Sequence, residues 1–259
     1  FEWYAWDHLD IIEYTNLNLT APEITWMHGN SIEIDWDENL IISNRISSEV
    51  LKINRMTGEV IWIWGGPLNE FSITGDSLGG FSKQHDVRRI DNGNILMFDN
   101  GTEHNPQISR VLEYAINEEE KTVDLVWEYI HSDELSSHAF GSSQRLPNGN
   151  TLINWGLMPE HGAIITEVDF QKNIVFEIRY PLEFKSYKVR KADWNFDVNL
   201  FRGDVNLDEL INVVDIIILV QYILNIPEEI DMFHLFKCDL NLDGNIDVTD
   251  VQLIVNNIL

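Results

Sequence analysis

The first residues that invite a chemical reading lie between Phe81 and Gly101, in FSKQHDVRRIDNGNILMFDNG. His85 stands there between Gln84 and Asp86, ahead of a turn, Asp91-Asn92-Gly93-Asn94, and a strand-like run, Ile95-Leu96-Met97-Phe98. Two neighbouring stretches carry polar residues at the corresponding place: His28-Gly29-Asn30-Ser31 upstream and Gly141-Ser142-Ser143-Gln144 downstream. Arg45 and Arg110 follow the first two turns at matching places. An imidazole can serve as general acid, general base or nucleophile. Arginine offers a planar fork that suits sulfate, phosphate or carboxylate. The set His28, Asn30, Arg45, His85, Arg110 and Ser142 therefore points to the handling of an anionic group, with His85 as the reactive centre. Hydrogen-bonded turn histidines would read the same way, so spacing alone leaves both roles open.

A second chemistry is written near the C-terminus. Asp204, Asn206, Asp208, Asn212 and Asp215 recur 35 residues later as Asp239, Asn241, Asp243, Asp247 and Asp250. These are oxygen donors at the alternating positions a calcium loop uses, and Leu210 and Asn245 fall where such a loop lends a backbone carbonyl. The second loop has Gly244 at its sharp bend, where the first has Glu209. Each loop ends on Asp rather than the longer Glu of an EF-hand, and each is followed by a helical pattern, over 213–224 and 248–259. A solvated acidic turn has no reason to repeat at a fixed offset. Two Ca²⁺ ions are the expected cofactors.

These sites need elements to hold them. Residues 1–200 alternate Ile-, Val-, Trp- and Tyr-rich runs with Asn, Gly, Asp and Pro turns, which is an all-β pattern. Asn39, Asn94 and Asn150 each precede such a run, and each is followed by a second hairpin, over 50–64, 111–129 and 165–180. Repeating units of about four strands are the mark of a β-propeller blade; a sandwich would have no fixed period. The expected fold is mainly β, a partial propeller of three to four blades followed by a small all-α calcium-binding module. Phe1–Leu9 reads as the last strand of an earlier blade, and the chain as an N-terminally truncated fragment. The expected domains are a propeller at 1–190, a linker at 191–202 and the calcium module at 203–259.

The chain carries a net charge of −26, which argues against a nucleic-acid partner. Its one cysteine, Cys238, excludes an intrachain disulfide. No apolar run approaches the length of a membrane span.

Taken in order, WMHGNSIEID, LIISNR, TGEVIWIWGG, FSKQHDVRRI, MFDNG, SRVLEY and GSSQRLPNGNTLINWG resemble the PAPS-independent arylsulfotransferases over about residues 3–190. The resemblance implies a six-bladed propeller and transfer of a sulfuryl group from a phenolic sulfate ester to an acceptor phenol. It implies a nucleophile at His85, a sulfate-binding pair at His28 and Asn30, and a sulfate-neutralising arginine at Arg45. A further family histidine has no counterpart here, and hydroxyls stand near Gly141–Ser142 where some members bring a lysine. Residues 203–259 resemble a type I dockerin, which folds on Ca²⁺ and docks a cohesin domain of a scaffoldin or cell-surface protein; Val213-Val214 and Val248-Thr249 match its partner-reading pairs. The resemblance thus implies a secreted or cell-surface enzyme in a polysaccharide-degrading setting. The alternative is a non-catalytic propeller that binds a glycan in such a complex.

Overall fold

The computed structural model describes residues 2–192, 202–206, 208–224 and 237–258. The chain falls into two units, Phe1–Ala192 and Asp193–Leu259. Most of the expected linker and the acidic residues Glu228, Glu229 and Asp231 lie outside the described residues.

The first unit is built from three sheets. The first runs β1 (Gly29–Ile34), β2 (Leu40–Asn44), β3 (Glu49–Ile53) and β4 (Val60–Gly65), each strand antiparallel to the last. A short β5 (Ser72–Thr74) then lies parallel to the outer strand of the second sheet. That sheet runs β6 (His85–Arg89), β7 (Ile95–Asp99), β8 (Arg110–Asn117) and β9 (Thr122–Ile130). The third runs β10 (Ser142–Arg145), β11 (Thr151–Asn154), β12 (Ile164–Val168) and β13 (Ile174–Arg179). The three repeats of the sequence are these three meanders, as the blade pattern requires.

The middle sheet is covered on both faces, which explains why β7 reads as an unbroken apolar run rather than an alternating one. Ile95 and Met97 join a core with Trp62, Trp64, Phe71 and Leu112. Leu96 and Phe98 point the other way, into a core with Trp127, Tyr129 and Trp155. Side chains of a strand alternate faces, so a slip of one residue would exchange these two sets.

First strands of successive sheets lie side by side. The Ser31 hydroxyl accepts from the Val87 amide at 3.1 Å, and the Asn30 amide donates to the Gln84 carbonyl at 2.8 Å. The Ser143 amide donates to Asp86 at 3.2 Å. Thus β1, β6 and β10 bring the three polar stretches together.

One local expectation changes. The stretch before Leu9 is not a strand. Ala5–Asp7 forms a 3-10 turn, because these amides bond backward, Asp7 to the Tyr4 carbonyl and His8 to that of Ala5, rather than to a neighbouring strand. The turn between β6 and β7 falls on residues 91–94, as expected. The Ile90 amide donates to the Asn94 carbonyl and the Gly93 amide returns to that of Ile90, with Gly93 at φ +90°.

Arg110 sits at the start of β8, 1% exposed. Its guanidinium donates to Asp76 at 2.8 and 2.9 Å, to Asp99 at 3.0 Å and to the Gly80 carbonyl at 2.6 Å. Burial opposes its charge, but Asp76 and Asp99 outweigh burial and raise its pKa.

In the second unit, α1 (Val213–Ile223) and α2 (Val248–Ile258) follow the two loops. Asn212 caps α1: its side chain accepts from the Val214 amide, while Asp215 accepts from the Asn212 amide, a reciprocal capping box. Leu219, Cys238 and Ile254 meet in its core. No helix among the described residues is long and apolar enough to cross a membrane.

Replacing Arg110 by Ala would take the shared arginine from two buried carboxylates, Asp76 and Asp99. Breaking one side of such a buried pairing costs about 3–5 kcal/mol, so Arg110→Ala should lower the unfolding free energy in urea by that order. Wild-type stability in this variant would contradict a structural part for Arg110.

Candidate functional site

His85 opens β6, where its backbone pairs with Phe98 and the register then shifts before Arg88. Asp86 takes the extra place in this bulge at φ +56°. The imidazole is 2% exposed. Its Nδ1 lies 2.7 Å from Asn100 Oδ1 and 3.2 Å from the Lys83 carbonyl. Asn100 Nδ2 donates to the Phe140 carbonyl at 3.0 Å and to the carbonyl and hydroxyl of Ser137 at 3.3 Å. A carbonyl only accepts, so Nδ2 must face that loop and Oδ1 must face the imidazole. Nδ1 therefore carries the proton, and the lone pair is on Nε2, which has no hydrogen-bond partner among the described residues.

Burial favours the neutral ring and pushes the His85 pKa down to about 4; the Asn100 hydrogen bond resists this, while Arg45 and His28 add to it. At neutral pH the ring is an uncharged base with a free Nε2.

Arg45 follows β2. One terminal nitrogen donates to the His138 carbonyl at 2.8 Å, and its Nε is buried without a partner. No carboxylate among the described residues pairs with it, so here is a cation near His85 without its anion. His28 is exposed at the start of β1, its amide held by Asn44 Oδ1 at 2.6 Å.

The other sequence-selected residues are committed elsewhere. Asn30 holds the backbone on both sides of His85, donating to the Gln84 carbonyl and accepting from the Asp86 amide at 3.3 Å. Ser142 Oγ donates to the Val189 carbonyl at 3.3 Å and accepts from its amide at 3.1 Å. Arg110 is held by Asp76 and Asp99 and is not brought to His85 as an anion ligand.

Sequence reasoning missed three partners. Asn100 is one. Tyr187 is another, its ring edge-on to His85 at 6.3 Å between centroids and 4.8 Å from Phe140. The third is the pair Lys188 and Arg190, which reach Asp86 Oδ1 at 2.7 and 2.6 Å. Burial would raise the Asp86 pKa, but Arg190 and Lys188 outweigh it and hold the carboxyl below its usual range. The basic run Lys185–Lys191 was the available signal.

The two acidic loops wrap their own backbone. Asp215 accepts from Val205, Asn206 and Asn212; Asp250 accepts from Leu240, Asn241 and Asp247 in the same manner. Asp204 accepts from Asp208 and Glu209, and Asp239 from Gly244. Asp243 accepts from Asn241 Nδ2, and Asn245 donates its amide to Asp243. Glu209 and Gly244 both turn left-handed, at φ +67° and +83°. Among the described residues no three His, Cys, Asp or Glu side chains cluster as a metal site. Yet Asp239 Oδ1 is buried without a hydrogen-bond partner. Hard oxygens, one of them orphaned and buried, fit a Ca²⁺ ion.

Residues 3–188 match the family model described as arylsulfotransferase (ASST), and residues 202–259 that of the type I dockerin domain. Among solved structures, the chain is similar to a protein of unknown function from Bacteroides caccae, at 21% identity and a TM-score of 0.34 over 61% of this chain and 50% of that one. It is also similar to virginiamycin B lyase from Staphylococcus aureus, at 12% identity and a TM-score of 0.37 over 64% and 44%. The chain thus spans half the length of these structures or less. No curated protein matches it.

Two outcomes follow from this geometry. In nitrogen-detected NMR, His85 should hold the Nδ1–H form at neutral pH and titrate with a midpoint near 4. Asn100→Asp should raise that midpoint, because a carboxylate favours the imidazolium; an unshifted midpoint would show that Asn100 does not set the ring's state. Chelating calcium should reduce helical circular dichroism while the sheet signal stays, and unchanged helicity would contradict an ion-dependent second unit.

Proposed function

The chain belongs to the arylsulfotransferase (ASST) family through residues 3–188 and carries a type I dockerin domain at 202–259, and on that footing we propose that it is an aryl-sulfate sulfotransferase that works without PAPS, through a sulfohistidine at His85. The observation that carries this reading is the Asn100 lock on Nδ1, which leaves Nε2 with a lone pair.

The reaction runs as two displacements. Nε2 of His85 attacks the sulfur of a phenolic sulfate ester; the S–N bond forms as the S–O ester bond breaks, and the phenolate leaves with the electron pair. The oxygen of an acceptor phenol then attacks the same sulfur, the S–N bond breaks and its pair returns to Nε2. The acceptor's proton goes to solvent or to the departed phenolate. Arg45 and His28 face the sulfuryl oxygens, and fixed positive charge at such a centre is commonly the largest catalytic contribution. Asn30 is a positioning residue that fixes the backbone around His85. Ser142 acts through Val189, and Arg110 supports β7 and β8.

In the second unit, Asp204, Asn206, Asp208, Leu210, Asn212 and Asp215 hold one Ca²⁺, and Asp239, Asn241, Asp243, Asn245, Asp247 and Asp250 hold another. Bound Ca²⁺ supplies loop rigidity and no chemistry to the transfer. The dockerin docks a cohesin domain, which puts the enzyme outside the cell or at its surface.

Incubation of the calcium-loaded chain with 4-nitrophenyl sulfate, without acceptor, should add one sulfuryl group to the His85 peptide, absent in His85→Ala. Arg45→Ala should lower the rate by about 10²–10³, as for loss of one oxyanion donor. The rate should hold as pH falls through the usual imidazole range and drop with an apparent pKa near 4, since the neutral ring is the nucleophile. A folded chain that takes no label from several aryl sulfates sinks the transferase reading.

A further inference from the structure

A cavity of about 770 Å³ is lined by β6, β10 and the segment that carries Lys188 and Arg190. Five of the chain's 17 Lys and Arg residues line it: Arg88, Arg89, Arg145, Lys188 and Arg190. Only two acids, Asp91 and Glu113, do so, although the chain as a whole carries −26. The lining side chains are thus richer in cations than the chain as a whole.

Two of these cations have carboxylates of their own. Arg145 pairs with Glu113 at 2.5 Å, and Arg89 pairs with Asp35 and Glu118. The other three converge on one group. Asp86 Oδ1 receives Arg88 at 3.1 Å, Lys188 at 2.7 Å and Arg190 at 2.6 Å. Arg88 has Glu33 as a further neighbour at 3.7 Å. The three share Asp86 on side chains only 27% to 33% exposed, where water screens their charge less than at an open surface. Like charges gathered around one carboxylate favour a second anion in their midst.

An independent observation lies at the same end. Ser143 lines the cavity and is 1% exposed, and its Oγ is buried without a hydrogen-bond partner among the described residues. Its amide is already given to Asp86 at 3.2 Å. A buried hydroxyl with no partner costs stability unless something accepts from it or donates to it.

We propose that this cavity is a binding site for a small organic oxyanion, a sulfate ester or carboxylate on a sugar ring, with its anion held by Arg88, Lys188, Arg190 and the Ser143 hydroxyl. The volume suits a ligand of one or two rings. Arg45 and the imidazole of His85 do not line this cavity, so the site stands whether or not His85 is a nucleophile.

The test is calorimetry on the full calcium-loaded chain in a His85→Ala, Arg45→Ala background, which removes the other anion site. Glucose 6-sulfate, glucuronate and glucose are the probes. One or both anions should bind and glucose should not; which of the two binds tells sulfate from carboxylate. Lys188→Gln should raise Kd by about tenfold, as expected for a charge-assisted contact. Ser143→Ala removes an unpartnered hydroxyl, so it keeps the fold, and it should raise Kd about fivefold. Anions that bind no better than glucose, or a Kd unmoved in both variants, would overturn the proposal.

Discussion

The side chain amide of Asn100 is the constraint on which the site depends. Its nitrogen is held by the carbonyls of Ser137 and Phe140 on the loop before β10, and its oxygen by His85 at the start of β6. One planar group thus fixes which nitrogen of His85 carries the proton, using a loop from the next sheet as reference. The same loop holds Arg45 through the His138 carbonyl. Base and cation are therefore set against each other by a piece of backbone that does no chemistry of its own.

That loop and its surroundings are held in uncommon conformations. Lys83, Asp86 and Phe140 have φ of +55°, +56° and +63°, and all three touch the Asn100–His85 arrangement or flank it. L-residues with side chains avoid this region, at about 1–3 kcal/mol for each such placement, and such residues gather at functional sites. Gly141 follows Phe140 at φ +105°, and a Cβ there would lie 2.4 Å from the Phe98 ring. Glycine is required at that point both by the turn and by the close approach of the core. The double-sided burial of β7 is what holds Phe98 against it.

Much of the architecture was legible because it is local. Asn-Gly turns and apolar runs mark the hairpins, and the oxygen side chains of each acidic loop stand within a dozen residues of chain. His85 and Arg45 stood out by type and spacing. What spacing could not reveal was competition for the same side chains. Arg110 and Arg45 look alike in sequence, yet one finds Asp76 and Asp99 and the other, among the described residues, finds a carbonyl and no carboxylate. Ser142 is a hydroxyl at the right place that is taken by Val189. Asn100 lies two residues past the Phe98 that pairs with His85, but nothing in its type marks it as the partner; Tyr187 and Arg190 come from another part of the chain, and nothing local announces where a long-range partner will land.

The segment that carries Lys188 and Arg190 is not woven into a sheet. Its backbone hangs on side chains, Val189 on Ser142 and Lys191 on Gln144 through paired bonds, with Tyr187 on the Gly141 amide. It is also the last stretch of the first unit before the chain passes on toward the calcium loops. In chain order from that side the pegs are Lys191, Val189 and Tyr187, with Arg190 and Lys188 on Asp86 between them. His85 is the neighbour of Asp86, so a loosening of this segment would be felt beside the imidazole without any strand of the three sheets giving way.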